Sequence, residues 1–213
     1  GCGTVTATGS ITEQAGNTIT LSSAAGTDAQ TLCINNPIAS ITYSTTGATG
    51  ATFGGLPAGV TGNWAADIVT ISGTPTESGA FTYTVTLTGG CGTVAATGTI
   101  DVQPENTITL TSGPGTDNQT ICLGDPIVPI IYTTTTATGA NFTGLPVGMT
   151  VAWAANVVTI SGIPASEGVY TYLIQLTGGC GTVSTGGTIT VLPLNTTSLT
   201  SAPGTDNQNT CIN

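Results

Sequence analysis

The feature that most constrains this chain is an internal repeat with a period of 89 residues. The segment Asn17-Thr-Ile-Thr-Leu21 recurs as Asn106-Thr-Ile-Thr-Leu110, and a third copy begins at Asn195. Residues 17–105 and 106–194 align without a gap and match at about three positions in five. A unit of this size is large enough for one small domain with its own hydrophobic core. The sequence therefore predicts one domain at 17–105 and a second at 106–194.

The two ends of the sequence align with parts of a repeat. Residues 1–16 match the tail of a repeat, which predicts the last strand of a preceding domain. Residues 195–213 match the head of a repeat, which predicts the first strands of a following domain. We therefore expect the chain to be a segment of a longer array.

Each repeat has the alternation of apolar and polar residues that is typical of β-strands. Phe81, Tyr83, Val85 and Leu87 fall on one face of such a strand, with threonines between them. Turn residues recur every 8–12 positions or so, and no helical period is present. The pattern predicts an all-β sandwich whose strands lie at 18–22, 30–34, 38–44, 54–61, around Trp64, 68–72, 81–88 and 94–102.

Three motifs in each repeat resemble a known family. They are Gly55-Leu-Pro-Ala-Gly-Val-Thr61, Val69-Thr-Ile-Ser-Gly-Thr-Pro75 and Gly79-Ala-Phe-Thr-Tyr83, and the second repeat keeps all three. Together they resemble the immunoglobulin-like (PKD-like) repeat of giant bacterial cell-surface adhesins, of the type found in gliding adhesins of Bacteroidota. The resemblance covers about half of each repeat. It implies tandem immunoglobulin-like β-sandwich repeats forming a rod or filament.

Six cysteines carry the strongest spacing signal. They occupy two phases of the repeat, with Cys2, Cys91 and Cys180 in one and Cys33, Cys122 and Cys211 in the other. An even number of cysteines at fixed phase in a β-rich chain predicts structural disulfides and an oxidising compartment. No histidine and no C-x₂-C pair is present, which argues against zinc, and we expect neither a metal nor a cofactor.

Three disulfide pairings are compatible with this spacing. Pairing within a repeat (Cys33–Cys91 and Cys122–Cys180) is the simplest arrangement. This pairing is the first choice. If the predicted strand topology holds, however, Cys33 and Cys91 lie at opposite ends of one sandwich, and the bond would then link two repeats as Cys33–Cys180. The third arrangement, Cys2–Cys33, Cys91–Cys122 and Cys180–Cys211, uses every cysteine.

The charge of the chain excludes several classes of partner. The sequence has no lysine, arginine or histidine against ten aspartates and glutamates, which gives a formal net charge of -10. A basic patch is therefore impossible, so the chain has no electrostatic basis for binding nucleic acid or anionic lipid. No apolar stretch is long enough for a membrane helix, so we expect no membrane insertion. Without a histidine base or a paired nucleophile, the sequence predicts that the protein is not an enzyme.

Aspartates and tryptophans are the remaining candidate sites. Asp28, Asp117 and Asp206 keep one phase inside Gly-Thr-Asp turns, where a turn role is favoured over calcium binding. Trp64 and Trp153 lie in short hairpins, where a core role is favoured over a platform for stacking sugars.

The sequence thus favours a structural function. We predict a segment of an extracellular surface filament or adhesin stalk, built from disulfide-reinforced repeats and located at the cell surface. The expected partners are neighbouring repeats of the same chain, with other filaments or surface glycans as further possibilities. The alternative is an array of carbohydrate-binding modules of a secreted protein. A weaker alternative is an ice-binding surface made by the threonine-rich strand faces.

Overall fold

The structure is a computed structural model that describes residues 1–198 and Thr200. It divides into two compact units. Unit 1 comprises Gly1–Asn106 together with Gly178–Gly181, and unit 2 comprises the remainder. Each unit contains one two-layered β-sandwich with no helix among the described residues, so the prediction of an all-β fold is confirmed.

Unit 1 contains eight strands in two four-stranded sheets. One sheet has the order β1-β3-β6-β5 and the other the order β2-β8-β7-β4. All neighbouring strands are antiparallel except β2 and β8, which run parallel. The strands are β1 (Thr18–Leu21), β2 (Ala29–Cys33), β3 (Ile41–Thr46), β4 (Gly50–Gly54), β5 (Val60–Ala65), β6 (Ile68–Gly73), β7 (Gly79–Thr88) and β8 (Ala95–Gln103).

Unit 2 repeats this arrangement. Its sheets have the orders β13-β14-β11-β9 and β10-β16-β15-β12, again with one parallel pair, β10 and β16. The strands are β9 (Thr107–Leu110), β10 (Asn118–Cys122), β11 (Ile130–Thr135), β12 (Gly139–Thr143), β13 (Met149–Ala154), β14 (Val157–Gly162), β15 (Gly168–Thr177) and β16 (Ser184–Leu192).

The core of each sandwich follows the predicted alternation. Tyr83, Val85 and Leu87 of β7 are buried, and their threonine neighbours point outward. Tyr83 and Val85 pack against residues of the facing sheet such as Ile41 and Ile71. Burial of these apolar side chains drives the pairing of the two layers.

Two strand predictions were wrong in detail. The predicted strand 54–61 is mostly the turn between β4 and β5, because Gly55 (φ 73°) and Gly59 (φ 86°) adopt backbone conformations that end a strand. The true strand, β4, consists of Gly50-Ala-Thr-Phe-Gly54, in which the two glycines and the alanine have low β-propensity. Residues 1–15 form no strand, contrary to the prediction of a final strand there. In the complete repeat the matching strand β8 is held between β2 and β7, and residues 1–15 have no such neighbours.

Candidate functional site

The candidate site is a disulfide bond between cysteines of different repeats. Cys33 ends β2, and Cys180 lies in the loop between β15 and β16. Their sulfur atoms are 2.01 Å apart, their Cα atoms are 5.5 Å apart, and 147 positions of sequence separate them. Because Gly178–Gly181 cluster with unit 1, the bond lies inside that unit. A tetrapeptide from the second repeat is thereby covalently attached to the sandwich of the first.

Asn106 holds the loop that presents Cys180. Its backbone N–H donates to the Cys180 carbonyl oxygen (2.6 Å), and its side-chain Nδ2 donates to the carbonyl oxygens of Gly178 (2.8 Å) and Gly181 (3.2 Å). Glu105 forms an isolated parallel β-bridge with Cys180. We call this set of hydrogen bonds the asparagine clasp. It fixes the loop backbone on both sides of the bonded cysteine.

The same clasp occurs in the first repeat. Asn17 donates its backbone N–H to the Cys91 carbonyl oxygen (2.8 Å) and its Nδ2 to the carbonyl oxygens of Gly89 (2.7 Å) and Gly92 (2.9 Å). Both clasp asparagines are buried. The clasp therefore forms whether or not the loop cysteine is bonded, so it is a property of the repeat.

The Gly-Gly-Cys-Gly sequence of the loop is required by this geometry. Gly89, Gly90 and Gly92 all have positive φ angles (71°, 66° and 87°), as do their counterparts in the second repeat. Such angles are strained for residues with a Cβ atom. A Cβ on Gly90 would also collide with the carbonyl oxygen of Gly47 and with Oδ1 of Asn17. The cysteine is therefore the only residue of the loop tip with a side chain.

Cys33 is positioned by the parallel pairing of β2 with β8. It lies opposite Gln103, the last residue of β8, and the next residue, Ile34, donates its N–H to the Gln103 carbonyl oxygen (2.9 Å). A turn follows at Asn35, which has a φ of 64° and donates its N–H to the carbonyl oxygen of Pro75 (2.9 Å). The cysteine is thus held at the end of the sheet from which the chain leaves the repeat.

This topology decides between the three pairings considered for the sequence. The pairing within a repeat is wrong: Cys33 lies beside the last residue of β8, and Cys91 precedes its first, Ala95. A nine-residue strand spans about 30 Å, far beyond the reach of a disulfide. The pairing that uses every cysteine is wrong as well, since Cys33 is bonded to Cys180.

The remaining cysteines are not bonded within the described chain. Cys2, Cys91 and Cys122 carry free thiols and are exposed, although all had been predicted to form structural disulfides. Cys91 occupies the repeat position of Cys180, and Cys122 occupies the repeat position of Cys33. Cys33 and Cys180 are 147 positions apart, and the given sequence has no cysteine at the same distance before Cys91 or after Cys122. The predicted site at Cys211 lies outside the described residues.

The tryptophans belong to the cores. Trp64 is partly buried against the core of unit 1, and its Nε1 donates to the Oγ1 of the buried Thr45 (3.0 Å). Trp153 packs in the same way in unit 2. The core role favoured from the sequence agrees with this packing.

The described residues were also examined for metal-binding groups and for pockets. They contain no group of three or more His, Cys, Asp or Glu that could hold a metal ion, and they enclose no pocket. Asp28 and Asp117 lie at the turns before β2 and β10, where their backbone carbonyls accept the N–H groups of Thr99 and Thr188. Within the same part of the chain, no helix is long and apolar enough to cross a lipid bilayer.

A buried tyrosine pair in each sandwich was not foreseen from the sequence. The hydroxyls of Tyr43 and Tyr83 are 2.9 Å apart, and those of Tyr132 and Tyr172 are 3.0 Å apart. Burial raises the pKa of all four tyrosines above the usual value. The only sequence signal was the use of tyrosine at these inward positions in both repeats, where phenylalanine would bury more easily.

Comparisons with known proteins define the fold. No protein-family model matches the sequence, and no curated protein matches it. An I-band fragment of titin superposes with a TM-score of 0.61 at 11% identity, over 85% of this chain and 67% of that one. A second titin structure, three Ig domains in an E-to-A mutated variant, has a TM-score of 0.56 at 11% identity, over 76% and 62% of the two chains. This chain thus spans about two thirds of the length of these titin structures.

The strand order agrees with this likeness. The sheet β1-β3-β6-β5 has the order of the A-B-E-D sheet of immunoglobulin domains, and β4, β7 and β8 correspond to the C-F-G sheet. The expected immunoglobulin-like fold is therefore confirmed, whereas the resemblance to bacterial gliding adhesins finds no support in these comparisons. The chain consists of tandem immunoglobulin-like β-sandwich repeats that carry an inter-repeat disulfide.

Proposed function

We propose that this chain is a structural segment of an extracellular surface filament or adhesin stalk, in which immunoglobulin-like repeats act as covalently reinforced spacers. The observation that carries the proposal is the Cys33–Cys180 bond, which attaches the loop of the second repeat to the sandwich of the first. A bond of this kind limits how far two repeats separate when the chain is pulled. That constraint serves a protein that transmits force along its length.

The chemistry of the chain supports a location outside the cytoplasm. Disulfides persist in oxidising compartments and are rarely structural in the cytosol. The lack of lysine and arginine removes every cleavage site for trypsin-like proteases, which is an advantage at an exposed surface. The three motifs that resemble bacterial adhesin repeats point to the same setting, and they make a role in gliding motility part of this proposal.

We also propose that the chain has no catalytic role. The sequence has neither histidine, the side chain that most often acts as a general base near neutral pH, nor lysine. The carbohydrate-binding alternative is not favoured, because both tryptophans pack into the cores.

The location can be tested by labelling intact cells that produce the protein. Antibodies raised against residues 17–194 should decorate thin filaments on unpermeabilised cells in immunogold electron microscopy. Label that appears only after permeabilisation would contradict the proposal.

The redox state can be tested on the same material. Free thiols are first blocked with one alkylating reagent, the protein is then reduced, and the released thiols are blocked with a second reagent of different mass. Cys33 and Cys180 should carry the second label after peptic digestion and mass spectrometry. If both carried the first label in native material, the proposed reinforcement would be absent.

A further inference from the structure

The segment that joins the two repeats lies beside both cysteines of the inter-repeat bond. Cys33 is the parallel partner of Gln103, the last residue of β8. Cys180 is the parallel bridge partner of Glu105, two residues further along the chain. All these residues belong to unit 1, because Gly178–Gly181 cluster with it. One short stretch of backbone therefore holds the two cysteines in register with each other.

This register brings the cysteines within bonding range. Two residues of a β-strand span about 7 Å, whereas three span about 10 Å. Disulfides join residues whose Cα atoms are at most about 7 Å apart, and the Cα atoms of Cys33 and Cys180 are 5.5 Å apart. A shift of the Cys180 loop by one residue away from Cys33 would therefore exceed the range.

Asn106 fixes the register of the Cys180 loop. Its backbone N–H and its side-chain Nδ2 supply the three hydrogen bonds of the asparagine clasp, which end on the carbonyl oxygens of Gly178, Cys180 and Gly181. Asn106 is only 3% exposed, so water competes little for these bonds. Cys33 needs no such clasp, because it is part of β2 and is held by the ladder to β8.

The composition of the loop makes a restraint of this kind necessary. Three of its four residues are glycines, with φ angles of 69°, 62° and 81° at Gly178, Gly179 and Gly181. Glycine loses more conformational freedom on ordering than any other residue, so fixing this loop is costly in entropy. A loop that the clasp has already ordered does not have to be ordered by the disulfide. The reduced protein then holds the Cys180 thiol close to the Cys33 thiol before the bond forms.

We propose that Asn106 is a positioning residue for the Cys33–Cys180 bond: it orders the loop in the reduced protein and thereby makes the bond harder to reduce. In thermodynamic terms, Asn106 raises the effective concentration of one thiol at the other. The inference rests on the proposed function, in which this bond reinforces the array. The durability of the reinforcement then depends on a residue that is not a cysteine.

The bond forms at the expense of an external oxidant, and a low-molecular-weight disulfide such as oxidised glutathione is suitable. One protein thiolate attacks the glutathione disulfide, which gives a mixed disulfide and releases one glutathione thiolate. The other protein thiolate attacks the protein sulfur of the mixed disulfide and releases the second glutathione thiolate. Two protein thiols lose two protons and two electrons, and one glutathione disulfide takes them up to become two thiols. The equilibrium constant of this exchange is the effective concentration of the two protein thiols.

The effective concentration can be measured on the full chain in buffers with graded ratios of reduced to oxidised glutathione. Cys2, Cys91, Cys122 and Cys211 are replaced by serine in every protein, so that only one bond can form. At equilibrium the free thiols are trapped by rapid alkylation, and the oxidised and alkylated forms are distinguished by mass. The variants are Asn106→Ala and Asn106→Asp, of which the second keeps the shape of the side chain and removes the Nδ2 donor.

Asn17 provides a matched control in the same unit. It makes the same three hydrogen bonds to the loop of Cys91, and it is buried like Asn106. Asn17→Ala and Asn17→Asp therefore disturb unit 1 in a similar way, but they leave the loop of Cys180 untouched. Circular dichroism of every protein establishes that the β-sandwiches are folded at the temperature of the measurement.

Each Asn106 variant should lower the effective concentration about tenfold, which corresponds to about 1.4 kcal/mol and to about 30 mV in reduction potential. Two lost hydrogen bonds of ordinary strength account for a change of this size. Aspartate should lower the effective concentration at least as much as alanine, because its carboxylate would face two carbonyl oxygens. The Asn17 variants should stay within about twofold of the parent, because substitutions at distant sites act almost independently.

The inference is overturned if the Asn106 variants keep the effective concentration of the parent. It is also overturned if the Asn17 variants lower that concentration equally, since the effect would then be a general loss of stability in unit 1.

Failure of the proposed function would look different. The parent itself would then have an effective concentration no higher in buffer than in denaturant, and the bond would give the folded protein no reinforcement. A parent with a high value and Asn106 variants that match it would refute only the positioning role.

Discussion

The inter-repeat disulfide should hide most of the chain from a pulling force. When force is applied between Gly1 and Asn213, tension in the oxidised protein passes through the Cys33–Cys180 bond. The residues between these cysteines form a closed loop and carry no tension. That loop contains every strand from β3 to β15, and therefore most of both sandwich cores.

The hidden length follows from the sequence separation. The cysteines are 147 positions apart, and an extended chain spans up to about 3.6 Å per residue, so reduction of the bond should release a contour length of about 500 Å. The same separation sets the effect on stability. The chain-entropy model gives about 5 kcal/mol for closing a loop of this length in the unfolded state.

Single-molecule force spectroscopy measures the hidden length directly. The protein would be attached through terminal peptide tags, with Cys2, Cys91, Cys122 and Cys211 replaced by serine so that only one disulfide can form. Without reductant, only the segments outside the loop should extend. Addition of a thiol reductant during pulling should then give a single lengthening step of about 500 Å, reduced by the end-to-end distance of the bonded loop.

The matched control carries C33S and C180S in addition. It should extend to full length with or without reductant, because no bond closes the loop. The reasoning is refuted if the disulfide-competent protein also reaches full extension in the absence of reductant.

Three further predictions concern the sandwich cores. The Tyr83→Phe variant should lose about 1–3 kcal/mol of unfolding free energy in chemical denaturation, because it leaves the buried Tyr43 hydroxyl without its partner. Replacing both Tyr43 and Tyr83 by phenylalanine should cost less than the single replacement. An equal or larger cost for the double variant would contradict this reasoning. The Gly98→Ala variant should lose about 1–3 kcal/mol of unfolding free energy, because its Cβ would collide with the Asp28 carbonyl oxygen and the Tyr83 hydroxyl. The control Gly54→Ala should change stability little, since its Cβ meets nothing within 4 Å. Burial raises the pKa of the paired tyrosines, so their contribution to stability is complete below the unfolded pKa of about 10 and is lost progressively as pH rises above it. Tyrosinate absorbance and the circular dichroism signal of the fold should therefore change together in an alkaline titration. Ionisation of the pairs without unfolding would count against burial as the cause.

The fold could be predicted from the sequence because its signals are local and repeated. Alternation along β7 identified Tyr83, Val85 and Leu87 as core residues, and the 89-residue period showed that the same pattern forms twice. β4 was missed because Phe53 is its only large apolar residue, and a single such residue among glycine, alanine and threonine gives no alternation to detect.

The disulfide could be predicted only as one of several pairings. Strand alternation shows which face a residue occupies, but it does not show which strands are neighbours. The decisive fact is that the chain crosses from one sheet to the other between β1 and β2, and β2 then pairs with β8 in parallel. Cys33 therefore lies at one end of this second sheet, and Cys91 lies beyond its other end. Side-chain pairing in the core was invisible for the same reason, since Tyr43 and Tyr83 lie on strands of different sheets.

The position of the cysteines at opposite ends of each sandwich has a consequence for any longer array. Because a cysteine cannot reach its partner in the same repeat, every bond must link different repeats, and a constant period makes every such bond equivalent. The separation of 147 positions exceeds the period of 89, so successive bonds overlap along the sequence. Cys211 occupies the same repeat position as Cys33 and would start an equivalent bond in such an array. Tension that passes through the Cys33–Cys180 bond would therefore follow the backbone only from Cys180 to Cys211. Most of each sandwich would stay outside the path of the force, and the resistance of such an array to extension would depend on its disulfides rather than on the unfolding of its domains.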